Sequence, residues 1–184
     1  MEKETECSKK IFTIPNIMSL FRLALVPILL YLYFHGLYAE TIILFLVSGA
    51  TDIIDGYIAR HFNMVSELGK ALDPVADKLT QIAMLFCLIA KFEILRIPCL
   101  ILIVKEILSG TLNLAVAKHT GTVPGADWHG KLSTVFIYAT LFTHLVWPGI
   151  PENISMILVI ISSAIMILSF SLYFIKNVKK LLKK

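Results

Sequence analysis

Four aspartates, Asp52, Asp55, Asp73 and Asp77, are flanked by strongly apolar sequence and constrain how this chain can fold. They occur in the run TDIIDGYIARHFNMVSELGKALDPVADK. Its pattern is D-x-x-D-G-x-x-A-R, eight residues, then G-x-x-x-D-x-x-x-D. A charged side chain at the centre of a bilayer costs roughly 2.5–3.5 kcal/mol, so four bare carboxylates would cost on the order of 10 kcal/mol, and less near the interface. The fold has to supply compensation, and divalent cations are the simplest candidate.

The surrounding composition requires the membrane reading. Of the 184 residues, 57% are hydrophobic and 16% charged, and the mean hydropathy is +0.80. These values lie far from those of an ordinary soluble domain. The chain has room for a single all-α membrane domain, 1–184, made of spanning helices of about 20 residues each. Six are expected, at 16–34, 39–59, 74–95, 98–118, 131–147 and 153–175, with a short interfacial segment ahead of the first. Pro15, Pro74, Pro98 and Pro151 fall at or near expected helix starts, where the missing N–H costs nothing. Pro27 falls inside the first helix and predicts a kink.

Basic residues orient the bundle. Lys3, Lys9 and Lys10 precede helix 1, Arg60 and Lys70 follow helix 2, Lys118 and Lys131 flank the connection after helix 4, and a lysine cluster ends the chain. The opposite connections hold Lys91 and Arg96. The positive-inside rule then puts both termini and the aspartate loop in the cytoplasm. No small-residue cleavage site follows the first apolar run, so a removable signal peptide is not expected. The terminal KNVKKLLKK suits anionic headgroups or a plain solvated anchor. Cys7, Cys87 and Cys99 have no pairing or metal-binding spacing. No nucleic-acid partner is expected.

Helical geometry groups the acids. Positions 52, 55, 56 and 59 share one face of helix 2, so Asp52 and Asp55 point the same way above the low surface of Gly56 and Ala59. Asp73 precedes Pro74 and is expected to cap helix 3, with Asp77 one turn on. A short polar loop containing Gly69 would return helix 3 beside helix 2. Two carboxylate pairs would then face each other as hard oxygen ligands for two Mg²⁺ or Mn²⁺ ions. Two such metals suit substitution at phosphorus. A site at the membrane face suggests a lipid-tailed pyrophosphate as substrate. Arg60 is placed either for phosphate contact or as a snorkelling interfacial arginine.

The Asp52–Asp77 run resembles the signature of the CDP-alcohol phosphotransferase family, with every fixed position present. The similarity extends to the six spans, the segment IPNIMSLFR and the basic C-terminus. It implies transfer of a phosphatidyl group from CDP-diacylglycerol to an alcohol with release of CMP, by a homodimer in a plasma membrane. The resemblance further implies that Asp52, Asp55, Asp73 and Asp77 bind two divalent metals, and that Asp77 is also the general base. Gly56, Ala59 and Arg60 would line the cytidine diphosphate site, Gly69 would shape its loop, and Asn16 and Arg22 would adjoin the nucleotide. Because a metal-bound Asp is a poor base in isolation, a water-mediated proton path stays open beside Asp77.

The acceptor rests on other residues. IPNIMSLFR, VKE and GKLST look like stretches of bacterial phosphatidylglycerophosphate synthases, which implies glycerol 3-phosphate. Lys105 and Lys131 are candidates for its phosphate, as point-charge binders. The plainer alternative pairs Lys105 with an intramembrane carboxylate and leaves Lys131 as an interfacial charge. At position 105 the family pattern has arginine, so lysine here loses the bidentate fork. A cardiolipin synthase using phosphatidylglycerol is the nearest rival, and a hydrolase with water as acceptor is another. A small cation transporter is the alternative from a different class, but neither inverted repeats nor broken midplane helices are evident. The five histidines have no spacing for a second metal site, and Trp128 and Trp147 fall near expected membrane boundaries.

Overall fold

The computed structural model describes residues 14–61, 67–120 and 128–182. Among them are six α-helices: α1 (Ile14–Phe34), α2 (Tyr38–His61), α3 (Glu67–Ile89), α4 (Arg96–Thr120), α5 (Trp128–Val146) and α6 (Glu152–Leu182). A 3₁₀ turn at Glu93–Leu95 leads into α4. The fold is all-α, as the sequence requires. Two compact units divide the chain, Met1–Cys87 and Leu88–Lys184.

In the first unit α1 and α2 form an antiparallel hairpin. Gly36 sits at φ +75°, a conformation that costs glycine nothing. Its N–H bonds Tyr33 O at 3.0 Å and Leu37 N–H bonds Leu32 O at 3.0 Å, the two bonds of a Schellman cap. The buried face of α1 runs through Asn16, Ser19, Arg22, Leu25, Leu29 and Tyr33, at three- and four-residue intervals. Ile17, Leu20, Phe21, Ile28 and Tyr31 point outward and are exposed. Polar groups inside and large apolar groups outside are what a lipid solvent selects, because interior polar atoms must find partners within the protein. In the second unit α6 packs on both α4 and α5. Its buried face carries Ser155, Ser162 and Ser169 at seven-residue spacing, small side chains that admit close helix approach.

Three described stretches are long and apolar enough to cross a membrane: Asn16–Phe34, Glu93–His119 and Glu152–Leu181. The other helices are α2 and α3, which bear the aspartates, and α5, which is interrupted by Ser133, Thr140 and His144. Helix 3 differs most from expectation. It begins at Glu67, so Asp73 is interior rather than capping, Pro74 lies inside the helix, and Gly69 belongs to the first turn rather than to a loop. The strong helix formers of ELGKAL carry the helix across the single hydrogen bond that proline removes. At the other end of the chain, α6 runs to Leu182 because KNVKKLL is itself helix-favouring.

Candidate functional site

The acid cluster of the first unit is organised around Arg22. One turn beyond Ser19 on the buried face of α1, its side chain is 0% exposed. Its guanidinium donates Nη1 to Asp52 Oδ1 on α2, and Nη2 to Asp73 Oδ1 on α3 at 3.0 Å. Their side chains are 34% and 45% exposed, so the arginine is sealed while its carboxylates reach toward solvent. One fork thus ties three helices together, using a geometry that only arginine has.

Asp77, one turn past Asp73, is the more enclosed carboxylate, with its side chain 13% exposed. Its Oδ2 accepts from Gln81 Nε2 at 3.0 Å and lies 3.4 Å from Lys78 Nζ. Arg22 therefore joins Asp52 and Asp73, with Asp77 one turn further along α3, and Asn16 and Arg22 occupy the same buried face of α1. Asp55, Gly56, Ala59 and Arg60 lie on the last turns of α2 and Gly69 on the first turn of α3, but their side chains fall outside the described residues. Sequence reasoning missed Gln81 and Lys78. Their only signal is position, four residues and one residue after Asp77.

The donor set suits a divalent cation in its chemistry: half-buried carboxylates from two helices, all hard oxygen. In this arrangement Arg22 supplies the positive charge between Asp52 and Asp73. Among the described residues, no three His, Cys, Asp or Glu side chains form a ready metal cage. The guanidinium of Arg22 neutralises two of these carboxylates, Asp52 and Asp73.

The expected acceptor residues lie in the second unit. Lys105 Nζ is 3.1 Å from Glu106 Oε1, with the lysine side chain 12% exposed, so it does have a carboxylate neighbour inside α4. It borders an apolar cleft between α4 and α6 lined by Leu100, Val104, Met166 and Phe170. Lys131 is exposed on the first turn of α5. A polar ladder also runs along α6: Ser155 Oγ lies 2.8 Å from His144 Nε2, Ser169 Oγ lies 3.2 Å from His129 Nδ1, and Tyr173 donates to Asn113. His144 is buried, and its Nδ1 meets Thr140 O at 2.8 Å, which makes it a packing histidine. Trp128 and Trp147 are exposed at helix ends, as boundary anchors should be.

Long apolar helices, and in the first unit an acid–arginine cluster, define an all-α integral membrane protein. Residues 12–174 match the family model described as CDP-alcohol phosphatidyltransferase, and the chain belongs to that family. It is similar to the CDP-diacylglycerol–glycerol-3-phosphate 3-phosphatidyltransferase of Rickettsia bellii, 37% identical over 114 residues, which are 60% of this chain and 63% of the relative. The protein of that name from Bacillus subtilis is 33% identical over 138 residues, 67% of this chain and 71% of the relative. A cardiolipin synthase (CMP-forming)/mitochondrial hydrolase fusion protein of Schizosaccharomyces pombe is 41% identical over 80 residues, 44% of this chain and 13% of the relative. The match to the Rickettsia bellii relative covers less than two thirds of that relative's length.

Proposed function

We propose that this protein transfers the phosphatidyl group of CDP-diacylglycerol to glycerol 3-phosphate, giving phosphatidylglycerophosphate and CMP. The observation that carries the reading is that Asp52 and Asp73, within the family signature, share the buried Arg22, with Asp77 one turn further along α3. The names of the Rickettsia and Bacillus relatives support the choice of acceptor. All six helices would cross a bacterial plasma membrane, with both termini and the site on the cytoplasmic side, and the active form would be a homodimer.

In this reading Asp52, Asp55, Asp73 and Asp77 hold two divalent cations, Mg²⁺ or Mn²⁺, which supply charge neutralisation for the pyrophosphate and the departing phosphate. Asn16, Arg22, Gly56, Ala59, Arg60 and Gly69 accommodate the cytidine diphosphate. Asp77 takes the proton of the acceptor hydroxyl. The acceptor oxygen bonds to the phosphatidyl phosphorus as the bond from that phosphorus to the CMP oxygen breaks, and CMP leaves with the electron pair. Arg22 would donate charge-assisted hydrogen bonds to the diphosphate once a cation replaces it at Asp52 and Asp73. Lys105 and Lys131 remain the candidates for the acceptor's phosphate.

A second reading, phosphatidylglycerol as acceptor, is favoured by the fission-yeast relative. Purified protein supplied with CDP-diacylglycerol, Mg²⁺ and one acceptor at a time separates the two. Release of CMP that depends on glycerol 3-phosphate is the expected result. Release only with phosphatidylglycerol would replace this reading by the second, and release with no acceptor would make the protein a hydrolase. Absence of CMP under all three conditions would overturn the enzyme assignment.

A further inference from the structure

Gln81 is the least economical side chain of α3. It is 0% exposed, among Ala76, Ala83, Met84 and Leu85, all of them buried. Its carboxamide oxygen Oε1 is buried and has no hydrogen-bond partner among the described residues. The neighbouring Thr80 avoids that penalty by donating to Ala76 O at 2.9 Å. A buried acceptor left unsatisfied is unfavourable, and a long amide side chain also loses rotamer freedom on ordering. Leucine or methionine would fill a similar volume without burying an unsatisfied acceptor. Packing alone therefore does not explain a glutamine here.

The other half of the amide offers the explanation. The four-residue interval places Gln81 on the same helix face as Asp77, one turn further along α3. Its Nε2–H donates to Asp77 Oδ2 at 3.0 Å. Lys78 approaches the same oxygen at 3.4 Å, so both donors engage one side of the carboxylate. The χ2 torsion of an aspartate is broad and nearly two-fold, so an untethered carboxylate presents either oxygen over a wide arc. A base that must meet one hydroxyl in one direction gains from having its second oxygen fixed. Lysine is a flexible point charge and fixes position poorly, whereas a packed amide has a set direction.

We propose that Gln81 is a positioning residue for phosphatidyl transfer, holding Oδ2 of Asp77 so that the carboxylate meets the acceptor hydroxyl in a single orientation. This rests on the reading of Asp77 as the base. Gln81 itself exchanges no proton and touches no substrate. Its unsatisfied oxygen is the cost of placing a donor at that depth in an apolar helix face.

The test is Gln81→Met in the full-length protein, in lipid-containing micelles, with Gln81→Leu as a second apolar replacement should the first fold poorly. Initial rates of CMP release are measured against CDP-diacylglycerol at saturating glycerol 3-phosphate and Mg²⁺, per folded protein. The expected result is a fall in kcat of between about 10- and 100-fold, the range for removing a hydrogen-bonded support of an active-site ligand. KM for CDP-diacylglycerol should change little, and the melting temperature should stay at or above that of the parent protein. A kcat within twofold of the parent overturns the proposal. So does a loss that disappears on correction for unfolded protein, which would make Gln81 merely structural. If the parent protein itself releases no CMP, the transferase reading has failed and the role of Gln81 fails with it.

Discussion

Arg22→Gln removes the cation that the structure places between Asp52 and Asp73. Gln has less than half the donors, and no charge, so the two carboxylates would face each other across a partly dry site. Breaking a fully buried ion pair from one side costs about 3–5 kcal/mol. Here the arginine is sealed, but its carboxylates are 34% and 45% exposed, so water screens what remains. A loss of about 2–3 kcal/mol is the resulting expectation. For a chain of this length that is a fall of roughly 4–12 °C in melting temperature. The effect should depend on divalent cations, because a bound ion restores the missing charge and stabilises by mass action. Thermal unfolding in detergent, followed by intrinsic fluorescence with chelator or with millimolar Mg²⁺, reads both parts. The variant should be clearly destabilised in chelator and should recover much of the difference in Mg²⁺. Equal melting temperatures of variant and parent in chelator would refute the clamp. A deficit that Mg²⁺ leaves untouched would refute the exchange of arginine for metal.

Three further outcomes follow from the same geometry. Asp77→Asn should lower the rate of CMP formation by about 10²–10⁴-fold while CDP-diacylglycerol still binds, measured by steady-state rates beside equilibrium binding; retained turnover would remove Asp77 as the base. Treatment with EDTA should stop CMP release and added Mg²⁺ or Mn²⁺ should restore it, whereas activity that survives chelation would contradict a metal held by these carboxylates. Ser155→Ala strips His144 of its 2.8 Å partner inside the second unit and should cost about 1 kcal/mol of stability, with the rate per folded molecule unchanged. An unaltered melting curve would show that this contact carries no stabilisation.

The parts of this protein that were legible beforehand were those written in local spacing and polarity. Helices α1, α2, α4 and α5 lie within three residues of their expected ends because long apolar runs have few alternatives in lipid. The approach of the α2 and α3 acids could be anticipated for Asp52 and Asp73, which share Arg22. The start of α3 could not. There a proline signal competed with five good helix formers among the six residues before Asp73, and the helix formers prevailed, which turned Asp73 from a cap into an interior residue.

By itself, the sequence determined the solvent, the helical class, the acid signature and hence the family, because apolar length and i, i+3, i+4 periodicity are properties of the chain alone. Only the tertiary structure decided which groups answer the acids. Arg22 is thirty residues from Asp52 and fifty-one from Asp73, and nothing in its own surroundings marks it as their shared counter-ion. Gln81 reads in the chain as one more polar residue on a helix, and only its burial against Asp77 gives it a task. Compensation of a charge depends on distance through space, which the covalent order of residues does not encode.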